Sequence, residues 1–214
     1  MVTIYRMSGR DEIARLAARA PLRTIRVADL AHVYAHPKKE IRELRLRGVL
    51  HRLARGIYCA VPLDVDAATW RPTLEAATAA VATAHVGDRV PVLMGLTAAR
   101  VHRALPRAVG EGHVAVPGYR RPTVLADRDA RVVFTERDVT ALDAVLVPTD
   151  LGPALATTPE QTVLDLARAD PRGHDGDAQE AIDALWPACD AAQLREIAER
   201  QRMRATLRRL EAGR

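Results

Sequence analysis

The chain has 214 residues, nearly half of them hydrophobic, which is enough for one large domain or for a small domain of roughly 60 residues beside a larger one. Its formal net charge is +5, only 3% of its residues are aromatic and Phe134 is the sole phenylalanine, so it has no platform for stacking single-stranded bases and must build its core from Ala, Val and Leu. Cys59 and Cys189 are too few for a disulfide framework or a four-ligand zinc site, and the N-terminus lacks a long apolar run, so a cytoplasmic protein with no membrane partner is expected.

From Ser8 to Ala20, Ile13, Leu16 and Ala17 recur at helical spacing behind a capping serine and the first-turn acids Asp11 and Glu12. Pro21 ends that helix, Thr24 to Val27 has strand composition, and Ala28 to Ala35 offers Leu30, Ala31 and Val33 or Tyr34 for burial in a short helix. Proline suits a first helical position and glycine a helix end, so Pro37 and Gly48 bracket a helix running to about Arg47. Ile41 and Leu44 share one face of it, which turns Lys39, Arg42 and Glu43 outward and leaves Lys38, Arg45 and Arg47 on the flanks. Two short runs follow, joined by Ala54-Arg55-Gly56, a loop of hairpin length. A basic helix feeding a basic hairpin is the order of a winged helix-turn-helix, whose helix enters the major groove while the wing follows the backbone.

Charge supports a boundary after this hairpin. Residues 1–62 hold 13 basic and 5 acidic side chains, whereas 63–192 hold 12 basic and 19 acidic, a body that should repel DNA phosphate and needs another task. Beyond Pro62, a long alanine-rich helix is expected from Ala67 to Ala84, a strand from Val90 to Met94, a helix capped by Thr97, and strands at 113–116, 131–135 and 144–148. Thr157-Thr158-Pro159-Glu160 reads as a helix start, Pro171 to Asp177 as a polar loop, and the remainder as an arginine-rich helical tail. The fold class is therefore mixed α+β, with a winged helix-turn-helix domain over 1–62 and an α/β domain over 63–214.

The inventory argues against an enzyme and offers no cofactor site. Both lysines, Lys38 and Lys39, lie outside any P-loop or acid-x-lysine pattern, and the only serine, Ser8, is not in a nucleophile elbow. His32 and His36 stand four apart but lack a third metal ligand, and Cys59 reads as a small buried apolar residue.

Three stretches carry a family resemblance. Leu46-Arg47-Gly48-Val49-Leu50-His51-Arg52-Leu53-Ala54-Arg55-Gly56-Ile57-Tyr58 resembles the N-terminal winged-helix signature of the AbiEi family of bacterial antitoxins. Gly95-Leu96-Thr97-Ala98-Ala99-Arg100-Val101-His102 and Thr158-Pro159-Glu160-Gln161-Thr162-Val163-Leu164-Asp165-Leu166-Ala167 resemble stretches of its C-terminal domain, and both read as packing elements. The resemblance implies an antitoxin that neutralises a nucleotidyltransferase-like toxin and represses its own operon by binding double-stranded operator DNA at inverted repeats. DNA contacts then fall on Lys38, Lys39, Arg42, Arg45, Arg47, Arg52 and Arg55. The alternative is a winged-helix transcriptional regulator whose C-terminal domain senses a ligand.

Overall fold

The computed structural model describes residues 9–213, so the expected cap at Ser8 lies outside the described residues. Helix α1 (Gly9–Arg19) buries Ile13 and Ala17, while Leu16 stays 44% exposed. A 3-10 turn at Pro21–Arg23 leads to β1 (Thr24–Arg26), a single-turn α2 (Val27–Leu30), α3 (Pro37–Leu46), β2 (Leu50–Ala54) and β3 (Ile57–Ala60). The expected second helix is thus shorter than the span 28–35: Leu30 is its only buried residue, and Val33, offered for burial, is exposed in the turn that follows. Strands β1 and β2 both pair antiparallel with β3, giving a small sheet in the order β1-β3-β2.

Thirteen residues outside any helix or strand precede α4 (Leu74–Val86), so the expected start at Ala67 is seven residues early. Asp66 holds a turn there by accepting from Ala68 N at 3.0 Å, and Pro72 cannot sit in a helix interior. Thr73 caps the true start, its hydroxyl accepting from Ala76 N at 3.3 Å. Residues 74–83 of α4 are all buried, as a helix without a polar face must be, because it is packed between two sheets.

The second sheet has six strands: β4 (Val92–Leu93), β5 (Glu111–Val116), β6 (Thr123–Val124), β7 (Arg131–Glu136), β8 (Ala144–Val147) and β9 (Ala154–Thr157). Their order is β6-β7-β5-β4-β9-β8, with β5·β7 and β4·β9 parallel and the other pairs antiparallel. Alternation sends Leu93, Val114, Val132 and Ala156 towards α4, and Val92, Ala115 and Leu155 to a separate cluster. Helices α5 (Gly95–Val101) and α6 (Pro159–Ala169) pack against the sheet and against each other, with α7 (Gly176–Leu185), α8 (Ala191–Arg200) and α9 (Arg204–Ala212) outside them. Thr97 is not a cap: it lies inside α5, fully buried, and its hydroxyl accepts from His113 N at 2.7 Å.

The largest core cluster does not stop at Pro62. Leu53, Ala54, Ile57 and Cys59 from the hairpin share it with Val81 of α4 and Leu93 and Val114 of the larger sheet.

Candidate nucleic-acid interface

Helix α3 is fastened by its apolar face. Ile41 and Leu44 are 1% and 3% exposed and pack with Ile13, Ala17, Leu30, Leu50 and Ala60, while Arg10 Nε donates to Glu40 Oε2 at 2.9 Å to tie α1 to α3. Gly48, at φ +72°, lets the chain leave the helix and turn into β2. Fixing the apolar face fixes the opposite one, where Lys39, Arg42 and the 66% exposed Leu46 point outward.

Six of the seven expected contact residues, Lys38, Lys39, Arg42, Arg45, Arg47 and Arg55, are exposed, and none is in an ion pair among the described residues. Unpaired surface cations keep their full charge for a partner. Arg52 differs: on β2 opposite Tyr58 it is half-buried, and its Nε is buried without a hydrogen-bond partner.

The fold brings Lys38 and Lys39 to Arg55. All three line an open cavity of about 950 Å³ between the start of α3, α2 and the hairpin turn, where Gly56 has φ +76° and accepts from Val27 N at 2.9 Å. The cavity has no Asp or Glu among the described residues that line it and gains two groups from elsewhere, Arg26 of β1 and His85 of α4. Arg42, Arg45, Arg47 and Arg52 do not reach it.

His85 also borders a smaller cavity of about 430 Å³ lined by Tyr119, Arg120 and Arg121 on the loop between β5 and β6. Burial, then the positive charges of Arg120 and Arg26, hold the His85 pKa below its ordinary value. The acidic body is therefore cationic at the edge beside the hairpin. Sequence reasoning missed this loop, although the adjacent pair Arg120-Arg121 between Gly118 and Pro122 is a readable signal: a basic turn inside an otherwise acidic stretch. His32 and His36 are both exposed, and no group of three metal-ligating side chains is found among the described residues. Cys59 is fully buried, and burial pushes its thiol up to about 12.

A family model described as the AbiEi antitoxin C-terminal domain matches residues 91–212, more than half of the chain. The chain belongs to the AbiEi antitoxin family. The matched residues of this AbiEi antitoxin contain all six strands of the larger sheet and α5 to α9, whereas the cationic helix and hairpin precede them. Among solved structures, the RV2827C protein from Mycobacterium tuberculosis is similar at 22% identity with a TM-score of 0.53, covering 91% of this chain and 72% of that one, a likeness of fold that extends over the N-terminal elements. No curated protein matches the chain. The α+β class is thereby established for the whole, and no helix among the described residues is long and apolar enough to cross a membrane.

Proposed function

We propose that this antitoxin represses its own operon by binding operator DNA through α3 and the β2–β3 hairpin used as a winged helix, and that its C-terminal domain neutralises a nucleotidyltransferase-like toxin. The observation carrying the DNA reading is the set of six exposed cations, in no ion pair among the described residues, on one helix and one hairpin turn, held by a fully packed apolar face. Lys39 and Arg42 stand opposite that face and meet base edges, while Arg55 at the turn and Arg120 and Arg121 beyond it meet phosphates.

The test is an anisotropy titration of the operator across salt concentrations. Lys39→Ala and Arg42→Ala should each weaken binding by roughly 1–3 kcal/mol and relax specificity at one position. Arg55→Ala should weaken all sequences alike and lower the salt slope by about one counterion. Wild-type behaviour in all three variants refutes the assignment. The antitoxin half is tested by co-expression with the neighbouring toxin gene: the triple variant should lose repression yet still relieve toxicity, and loss of both together would place protection in repression instead.

A further inference from the structure

The second and third family stretches meet at a cavity of about 480 Å³ on the side of the sheet away from the cationic surface's defining helix. Met94, Gly95 and Leu96 at the start of α5 form one wall, and Asp165, Leu166 and Arg168 of α6 face them, with Arg137 from the end of β7 between. Both stretches read as packing elements in the sequence, yet they enclose space.

Asp165 is the unusual member. Its side chain is only 3% exposed, Arg137 Nη1 donates to Oδ1 at 3.3 Å, and Oδ2 is buried with no hydrogen-bond partner among the described residues. Burial raises its pKa, opposed by Arg137, Gln161 and the charge of Arg168. A buried carboxylate oxygen left without a donor is costly, and such an atom next to a cavity calls for an occupant. The neighbouring guanidinium of Arg137 disfavours a bare cation as that occupant. Arg168, exposed at the rim and in no ion pair among the described residues, offers a second charge of the opposite sign, while Met94, Leu96 and Leu166 supply apolar walls.

We propose that this cavity is a small-molecule site whose ligand gives an N–H donor to Asp165 and an anionic group to Arg168. That pairing of donor and anion is common to α-amino acids and nucleoside monophosphates, and the volume lies in the usual range for small ligands. The site goes beyond the DNA and toxin functions and gives the C-terminal domain a means of sensing a metabolite.

The experiment uses the full chain without DNA or toxin: thermal shift and calorimetry with the ribonucleoside monophosphates in one arm and the α-amino acids in the other. One arm should raise the melting temperature and bind. Arg168→Ala should weaken that ligand about tenfold, because its exposed charge, which acts on Asp165 in the free protein, is the one offered to the anion, and Asp165→Asn, which keeps an acceptor for Arg137, should abolish it. No shift and no heat in either arm overturns the proposal and leaves only water on Asp165. Binding unaltered by both substitutions overturns it by placing the ligand elsewhere. Operator titration of the same preparations keeps the readings apart, because both variants should bind DNA as wild type does.

Discussion

Replacing Asp127 by Ala should weaken the hold of the body on the hairpin. Asp127 lies between β6 and β7, 9% exposed, and accepts from His51 Nε2 of β2 at 2.8 Å and from Arg128 Nε and Nη2 at 3.0 and 2.8 Å. Beside it, Ala126 N donates to Leu53 O at 2.8 Å, and the His51 ring meets Trp70 edge-on at 5.7 Å. A hydrogen bond to a charged group contributes roughly 1.5–3 kcal/mol. Arg128 keeps Pro72 O at 2.6 Å after the substitution, so its share is small and the total loss should be about 3 kcal/mol. For a chain of this size that lowers the melting temperature by roughly 6–12 °C. The pH dependence follows from the same bonds. Despite burial, which works the other way, the His51 and Arg128 contacts hold the Asp127 carboxyl far below its ordinary pKa of 3.8. A depressed folded pKa means the contribution is complete above the unfolded value and lost as pH falls through it towards the folded one. The gap between wild type and Asp127→Ala should therefore shrink by about 1 kcal/mol between pH 5 and pH 3, measured by urea denaturation at each pH. A loss below about 1 kcal/mol at pH 7, the range of a surface ion pair, or a gap that does not change with pH, would refute the reading of this contact as a clamp.

Two further outcomes concern the core. In Gly112→Ala the new Cβ would overlap Thr78 Oγ1 and stand 2.9 Å from Thr78 Cβ, and Thr78 is fully buried with its hydroxyl on Leu74 O at 2.7 Å; a loss of about 1–3 kcal/mol is expected, smaller in a Thr78→Ala background, and strict additivity in the double-mutant cycle would contradict it. Cys59, fully buried with its thiol at about 12, should stay silent to a thiol reagent at pH 8 until the chain unfolds, and prompt labelling of that residue in the native protein would show that the hairpin opens on its own.

Much of the basic surface was legible because it rests on local rules. Pro37 and Gly48 bound α3, and the three-residue spacing of Ile41 and Leu44 decides which charges point out, whatever the helix packs against. Elsewhere local rules misled or fell silent. Ala67-Ala68 has high helix propensity, but Pro72 and the capping Thr73 were the stronger signals and place the start correctly. Strand β9 went unread because Ala154-Leu155-Ala156 has little β-branching; it is a strand because β4 and β8 lie on either side of it. Thr97 and Asp165 are 68 positions apart in sequence, and no periodicity in either stretch could show that α5 and α6 face one another across a cavity. The cation pair at Arg120 was visible as composition, but its place beside His85 depends on α4 bridging two sheets.

That bridging bears on how the two proposed activities can be separated. The boundary at Pro62 divides charge, with the basic excess before it and the acidic body after, yet it does not divide the core. Leu53 and Cys59 are fully buried against side chains that follow the boundary, and Arg26 Nη1 donates to Ala84 O at 3.0 Å, so a cut at residue 62 would expose apolar surface on both fragments and remove a bond from the end of α4. A fragment that fails to repress or to protect could then be failing to fold. Surface substitutions avoid this: Lys39, Arg42, Arg55 and Arg168 are exposed and in no ion pair among the described residues, and none contributes to the shared core. The proposed division of labour is thus a question for the side chains on each face of an intact molecule, since the packing that holds α3 in place is continuous with the packing of the domain proposed to answer the toxin.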